Sequence, residues 1–462
     1  MENASAYETC IERLEWAIQK LNLQVSSQQL AEIAELIVQP MTGPWRFFHT
    51  PQHIFEVGGN TDPIEVLAAL YHDLVYVQVD RSINFNVSLY ISPFTKEANG
   101  HLVIRNQAEL PQDDIFAMVM AVFGFTPGQQ LIPTAGQNEF LSAVVAAKTL
   151  ESILSPVKLI QVIACIEATI PFRSVDAGEL LYQRLQAANQ DFSLGMGEGE
   201  IIATVHRGVR IANRDIGNFA HPSAAHFLAN TWNLLPETNH NLAARDSYTV
   251  CDYRGALQKM EGFLNFLQPE LIFRSFRGEP DGETCQLLVA RARRNLEIAR
   301  LYLGSKLVSI AFVEAISFAI GLDVPITIMM GELPGRGYNF VQLVSFLPEI
   351  ENQFPPQNEI EREVLNLLEN GRAQRSDRDL DNSPLATLIV KTIGFDAVRE
   401  QCDRAKAFFQ GQLTTEDFVA HFPASVKEIV INAVLKLFES RSEAVRKYYC
   451  IHPDVLKVSC QP

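Results

Sequence analysis

Apolar residues recur at three- and four-residue intervals through most of this chain, and alternating strand patterns are almost absent. The helical period shows in segments around 5–22, 27–38, 63–79, 138–154, 198–219, 285–320, 357–370 and 425–448. Candidate strands such as Leu102–Arg105 and Phe340–Val344 are short and read equally well as loop. The expected fold is all-α: a helical bundle with an insertion, followed by a helical C-terminal region. At 462 residues the chain is long enough for two or three domains.

Breaks in the pattern suggest where those domains divide. The stretch 81–136, from the polar "NFNVSLYISPFTKEANG" to the turn-rich "GFTPGQQLIPTAGQN", reads as an insertion between two bundle helices. Its length suits a lid or binding element. A polar run with Pro236, "LLPETNHN", closes a first domain at 1–235. The break "EIENQFPPQNE" at 349–359 then separates a helical domain, 236–350, from a helical tail, 351–462.

Composition narrows the class. Hydrophobic residues make up 47% and charged residues 20%, as in a globular enzyme. A formal net charge of −16 argues against a nucleic-acid surface or docking on anionic lipid, both of which need clustered cations. Seven cysteines, an odd number without CxxC spacing, indicate neither a disulfide framework nor a zinc knuckle. The N-terminal "MENASAYETCIERLEWAIQKL" is an acidic amphipathic helix, not a signal peptide. The apolar run Leu307–Met330 is interrupted by Glu314, Asp323 and Pro325, which makes it a core helix and loop rather than a membrane span. A soluble, cytoplasmic protein is expected. "MMGELPGRGYNF" at 329–340 follows no clear strand and is no dinucleotide or Walker loop; Tyr448 and Tyr449 read as core or interface residues.

Chemistry concentrates in "WRFFHTPQHIFEVGGNTDPIEVLAALYHDLVYVQ", residues 45–78. If a helix begins near residue 52, His49 lies at its start and His53 one turn in. Asp62–Pro63 then opens a second helix, with Asp as N-cap and Pro in the first turn. His72 and Asp73 are expected near the middle of that helix, whose apolar face is Leu67, Leu70, Leu74 and Val77. Adjacent positions differ by about 100° around a helix, yet a long imidazole and a carboxylate can still meet at one ion. A carboxylate within an apolar helix is costly unless it is paired or metal-bound. The plainer reading makes His49 and His53 loop-facing residues and His72–Asp73 a surface pair.

The spacing HxxxH followed by HD resembles the HD superfamily of metal-dependent phosphohydrolases. "RFFHTPQHI…LAALYHDLVY" is similar in particular to a bacterial branch with the motifs R-x-Y-H-x-x-x-H-I and H-D-x-V-Y. The branch's later N-E-x-x-S-A motif has a counterpart in Asn138, Glu139, Ser142 and Ala143. Phe48 and Thr50 depart from the branch pattern, which often has Tyr and Asn there. The resemblance covers roughly residues 41–220 and implies an HD-type helical bundle. It implies that His53, His72 and Asp73 ligate a divalent metal and that His49 acts as general acid. Glu139 would bind a metal-bound water or orient His49, or else serve only as an acid favourable to its helix dipole. The remaining ligand would be an Asp on a later helix: Asp215 in "IIATVHRGVRIANRDIGNFA" is favoured over Asp176, which reads as an N-cap with Glu179 three residues on.

Two imidazoles and two carboxylates suit Mn, Mg, Fe, Co, Ni or Zn without selecting among them. Arg46 and Arg214 are the nearest candidates to hold a substrate phosphate, with Arg173 a third. His101 and His206 lack the paired spacing of the two-metal branch, so a mononuclear site is expected. The expected activity is hydrolysis of a small phosphoester, plausibly a nucleotide. The alternative is an HD scaffold that has lost catalysis and engages a protein partner, or a second copy, through its C-terminal helices.

Overall fold

The computed structural model describes residues 2–243, 247–320, 323, 325–330, 342–374, 379 and 382–437. Residues 331–340 of the glycine-bearing stretch, Tyr448, Tyr449 and the end of the expected helix 425–448 lie outside them. Among the described residues the chain is helical apart from one antiparallel hairpin, so the all-α expectation holds.

The chain divides into two compact units. Unit 1 comprises residues 1–220 and 267–292; unit 2 comprises 221–266 and 293–462. This differs from the expected division at 235 and 350. The first boundary comes earlier, and a segment from the supposed C-terminal region belongs to unit 1.

In unit 1, α1 (Glu2–Lys20) and α2 (Ser27–Met41) precede α3 (Pro51–Gly58) and α4 (Pro63–His72). The short α5 (Val77–Asp80) and α6 (Phe85–Ile91) lead to β1 (Thr95–Ala98) and β2 (His101–Ile104). Then come α7 (Asp114–Phe123), α8 (Gln137–Leu150), α9 (Pro156–Ala168), α10 (Ala177–Asp191) and α11 (Glu198–Asp215). The helix starts follow local chemistry. Ser26, Asp62, Asp113 and Ser155 each accept a backbone N–H as N-cap, and Pro51, Pro63 and Pro156 occupy first turns.

Helix α9 has no apolar stripe to read, because every residue from Leu159 to Ala168 is buried. It is the central element, packed against α4, α8, α10 and α11. A helix buried on all sides loses the polar face that makes the 3.6-residue period visible.

The stretch 81–136 is not a lid. Phe94, Ile104, Phe116, Phe123 and Leu131 are buried in the same core as α8 and α9. Phe94 stacks on Phe116 at 4.1 Å, and Phe123 meets Phe140 of α8 at 5.3 Å. Leu102–Ile104 does form a strand, paired to Thr95–Glu97. Of the other candidate strand, Phe340 and Val341 are outside the described residues and Leu343–Phe346 is a 3-10 turn.

Unit 2 is built from helices including Ala224–Trp232, Val250–Phe266, Glu359–Asn370, Pro384–Phe409 and Ala424–Leu437. Helix Gly282–Ile320 crosses the boundary between the units. It is long and apolar enough to cross a membrane, but 89% of its most apolar window is buried within the protein. It is a core helix.

Candidate metal centre

His53, His72, Asp73 and Asp215 converge, with one ligand atom from each lying within 4.8 Å of all the others. His53 Nε2 is 3.0 Å from Asp215 Oδ1 and 3.3 Å from Asp73 Oδ2. His72 Nε2 is 3.1 Å from Asp73 Oδ2 and 3.5 Å from Asp215 Oδ1. The four residues come from α3, from the end of α4 and from the last turn of α11. Asp176, the competitor for the last ligand, is exposed at the start of α10 and outside the cluster, and its expected capping bond is not made.

One expectation about α4 needs correcting. His72 and Asp73 are not mid-helix: α4 ends at His72, and Asp73 is its C-cap, with φ −106° and ψ 13°. Leu74 and Val77 therefore lie beyond the helix. Tertiary hydrogen bonds account for the stop. Arg46 Nη1 donates to the Asp73 carbonyl at 2.9 Å and Nη2 to that of Leu74 at 3.3 Å. Ser142 Oγ accepts the Val75 N–H at 3.0 Å, and Asn138 Oδ1 accepts the Val77 N–H at 3.2 Å. These contacts satisfy backbone groups that an α-helix would otherwise pair within itself. They also turn the Asp73 side chain towards both histidines. Nor is His72–Asp73 a surface pair, since the His72 side chain is 1% exposed.

The donor set fits a cation. His72 Nδ1 lies 2.8 Å from the Ala69 carbonyl, which can only accept, so the proton belongs on Nδ1 and Nε2 presents a lone pair. That buried Nε2 has no hydrogen-bond partner, although two carboxylate oxygens stand beside it. Lone pairs that face one another at about 3 Å repel unless a proton or a metal lies between them. Where no metal is bound, protons would fill that role. Burial lowers the His53 pKa, but the bonds to Asp215 and Asp73 outweigh it and raise it to about 9. His72 is likewise raised, against burial, by Asp73 and Asp215. Burial acts to raise the Asp215 carboxyl, but the two histidines bring it down to about 2.

Glu139 sits in the first turn of α8, its Oε2 buried and without a partner. Burial, joined by the charges of Asp73 and Asp215, pushes its carboxyl up to about 7. Helix α8 begins at Gly136, whose φ of 89° and whose contact with the Ile170 side chain leave no room for a Cβ. His49 precedes α3, with its ring 5.8 Å from that of His53 and 4.5 Å from that of Tyr76. Burial acts to raise the Asp73 carboxyl, but its histidine neighbours, His72 first, hold it well below its ordinary value.

The arginines chosen from sequence are otherwise engaged. Arg46 forms a forked pair with Asp80, at 2.8 and 2.7 Å, besides bracing the end of α4. Arg214 donates to the Val57 carbonyl at 2.6 Å and to Glu65 Oε2 at 2.6 Å, tying the ends of α11 and α3 to a carboxylate buried in α4. Both hold the scaffold rather than face the four ligands. His101 is exposed on β2 and His206 lies against Phe276, and neither joins the cluster.

Arg274 was not visible from the sequence. Its guanidinium feels the charges of Glu139 and Asp215, and its local signal, the run "IFRSFRGEP", has no fixed spacing from the histidines. No family model, curated protein or solved structure matches this chain, so the case for a metal centre rests on the cluster itself.

Proposed function

We propose that unit 1 is a metal-dependent phosphohydrolase of the HD kind that acts on a small phosphoester. The observation that carries this reading is the convergence of His53, His72, Asp73 and Asp215, with the buried His72 Nε2 left without a hydrogen-bond partner. Mixed nitrogen and oxygen ligands suit Mn, Mg, Fe, Co, Ni or Zn. A divalent ion held there would polarise a phosphoryl oxygen and make a coordinated water acidic enough to attack near neutral pH.

The chain's own residues have distinct tasks in this reading. His53 and His72 serve as neutral ligands, and the Ala69 carbonyl keeps the His72 tautomer correct. Glu139, with a buried unpartnered oxygen in the first turn of α8, is suited to take a proton from the attacking water. His49, beside the ligands at the start of α3, is suited to protonate the leaving oxygen. Arg46, Asn138 and Ser142 position Asp73 through the backbone that follows it. The five described cysteines are all free thiols, which fits a reducing cytoplasm.

Elemental analysis of the purified wild type and of Asp73→Ala, paired with Mn-dependent turnover of phosphomonoesters, cyclic nucleotides and nucleoside triphosphates, tests the proposal. Stoichiometric metal and turnover in the wild type, both lost in the variant, are expected. Undiminished metal in Asp73→Ala would sink it.

A further inference from the structure

Several arginines of unit 1 have carboxylate partners: Arg46 with Asp80, Arg207 with Asp62, Arg210 and Arg214 with Glu65, and Arg173 with Glu167. Arg274 does not, and neither do Arg13 and Arg105, which lie well along the chain from the cluster and donate to the Gly59 and Ser92 carbonyls. Among the described residues no carboxylate lies within ion-pairing distance of Arg274, and the side-chain bond that it makes is to the Ile170 carbonyl.

Its position is not accidental. The loop that carries it is clamped to α11 through both backbone groups. Arg274 N–H donates to Asn213 Oδ1 at 2.8 Å, and Asn213 Nδ2 donates to the Arg274 carbonyl at 2.9 Å. Asn213 lies two residues before the ligand Asp215. Ile170, at the other end of the brace, packs over Gly136 at the start of α8, one turn before Glu139. The guanidinium is thus held between the helix that supplies a metal ligand and the helix that supplies the buried acid.

Its surroundings do little for its charge. Burial, together with the neighbouring Arg173, pulls the Arg274 pKa down to about 9 despite the pull of Glu167, Glu139 and Asp215. A metal ion would neutralise much of the charge on Asp215, which leaves the guanidinium with less compensation still. A poorly solvated guanidinium without a carboxylate is costly unless an anion completes it, and its fork of donors matches phosphoryl oxygens.

We propose that Arg274 is the residue that binds the substrate's phosphoryl group at the metal centre. This rests on the phosphohydrolase reading above. It also gives a cation to the role that Arg46 and Arg214, committed to Asp80 and Glu65, do not fill.

Inorganic phosphate is the probe, titrated by calorimetry into the Mn-loaded wild type, Arg274→Gln and Arg274→Lys. Removing a charge-assisted hydrogen bond should weaken phosphate binding by about tenfold or more in Arg274→Gln, with partial recovery in Arg274→Lys. Metal stoichiometry should stay at the wild-type value in both, and KM for a phosphomonoester should rise more than kcat falls. If Arg274 only braces the Ile170 carbonyl, Arg274→Gln will lower the unfolding temperature and leave phosphate affinity unchanged, which overturns the inference. Arg274→Lys, which keeps a charged donor, covers the case in which Arg274→Gln fails to fold. Unchanged variants alongside an active, metal-loaded wild type refute Arg274 alone. A wild type that binds no metal refutes the parent reading and this inference together.

Discussion

Each unit contains a cluster of buried charged groups, and the two clusters have opposite composition. In unit 2, a single oxygen of Asp379 receives Trp232 Nε1 at 3.1 Å, Tyr253 Oη at 2.5 Å, Lys306 Nζ at 2.7 Å and Arg372 Nη1 at 3.4 Å. Donors outnumber acceptors, and the carboxylate is satisfied by the protein's own cations. In unit 1, two imidazoles and two carboxylates face each other with no arginine or lysine among them. Acceptors outnumber donors there. The comparison separates a charge cluster that is closed within the fold from one whose donor set could hold a cation from outside. Burial alone does not distinguish them, since both are well shielded.

The largest effect should come from breaking the closed cluster. Asp379→Ala leaves Lys306 and Arg372 buried beside one another, which should cost roughly 3–5 kcal/mol, read from urea unfolding followed by tryptophan fluorescence. Metal content should not change, because neither Asp379 nor its donors are ligands. In unit 1, Asp215→Ala should weaken Mn binding by roughly a hundredfold or more, about 3 kcal/mol, measured by equilibrium dialysis. Loss of metal in Asp379→Ala, or its retention in Asp215→Ala, would break the comparison.

Acid titration sharpens the same contrast. Burial acts to raise the Asp379 pKa, but Lys306 and Arg372 hold it below its ordinary value of 3.8. A carboxyl depressed in the folded state contributes stability above its unfolded pKa and loses it as pH falls through the folded one. Unit 2 should therefore keep this contribution at pH 5 and lose it below about pH 4, as followed by tryptophan fluorescence. Asp379→Ala should lack that acid transition. Smallest is the effect of Ser142→Ala, which frees the Val75 N–H behind the ligand turn. About 1 kcal/mol of stability should be lost, and Mn affinity should drop while one-to-one binding is kept. An unchanged affinity would mean that the Asp73 turn holds without this brace.

Much of the metal centre was legible in the sequence. Its residues fall mostly in short-range patterns: His49 and His53 four apart, the His72–Asp73 doublet and the Asn138–Glu139–Ser142 spacing each occupy one or two helical turns. Helices with a polar face, such as α2 and α11, were legible too. Helix α9 was not, because complete burial erases the period, and neither was the packing of 81–136 into the core. Asp215 entered the candidate set through its order in the chain, with only a loose local echo in "RDIGNFA".

The sequence by itself determined an all-α chain and the residue types that make a site of two histidines and two aspartates. The tertiary structure decided where α4 stops, which arginines are spent on the scaffold, and that Arg274 from 267–292 is clamped to α11 two residues from Asp215. The physical reason is separation along the chain. Helical period and caps are set by neighbours within about four residues, and they show in the sequence. The hydrogen bonds that end α4, hold Arg214 and clamp Arg274 to Asn213 join residues 27 to 157 positions apart, where no spacing rule reaches.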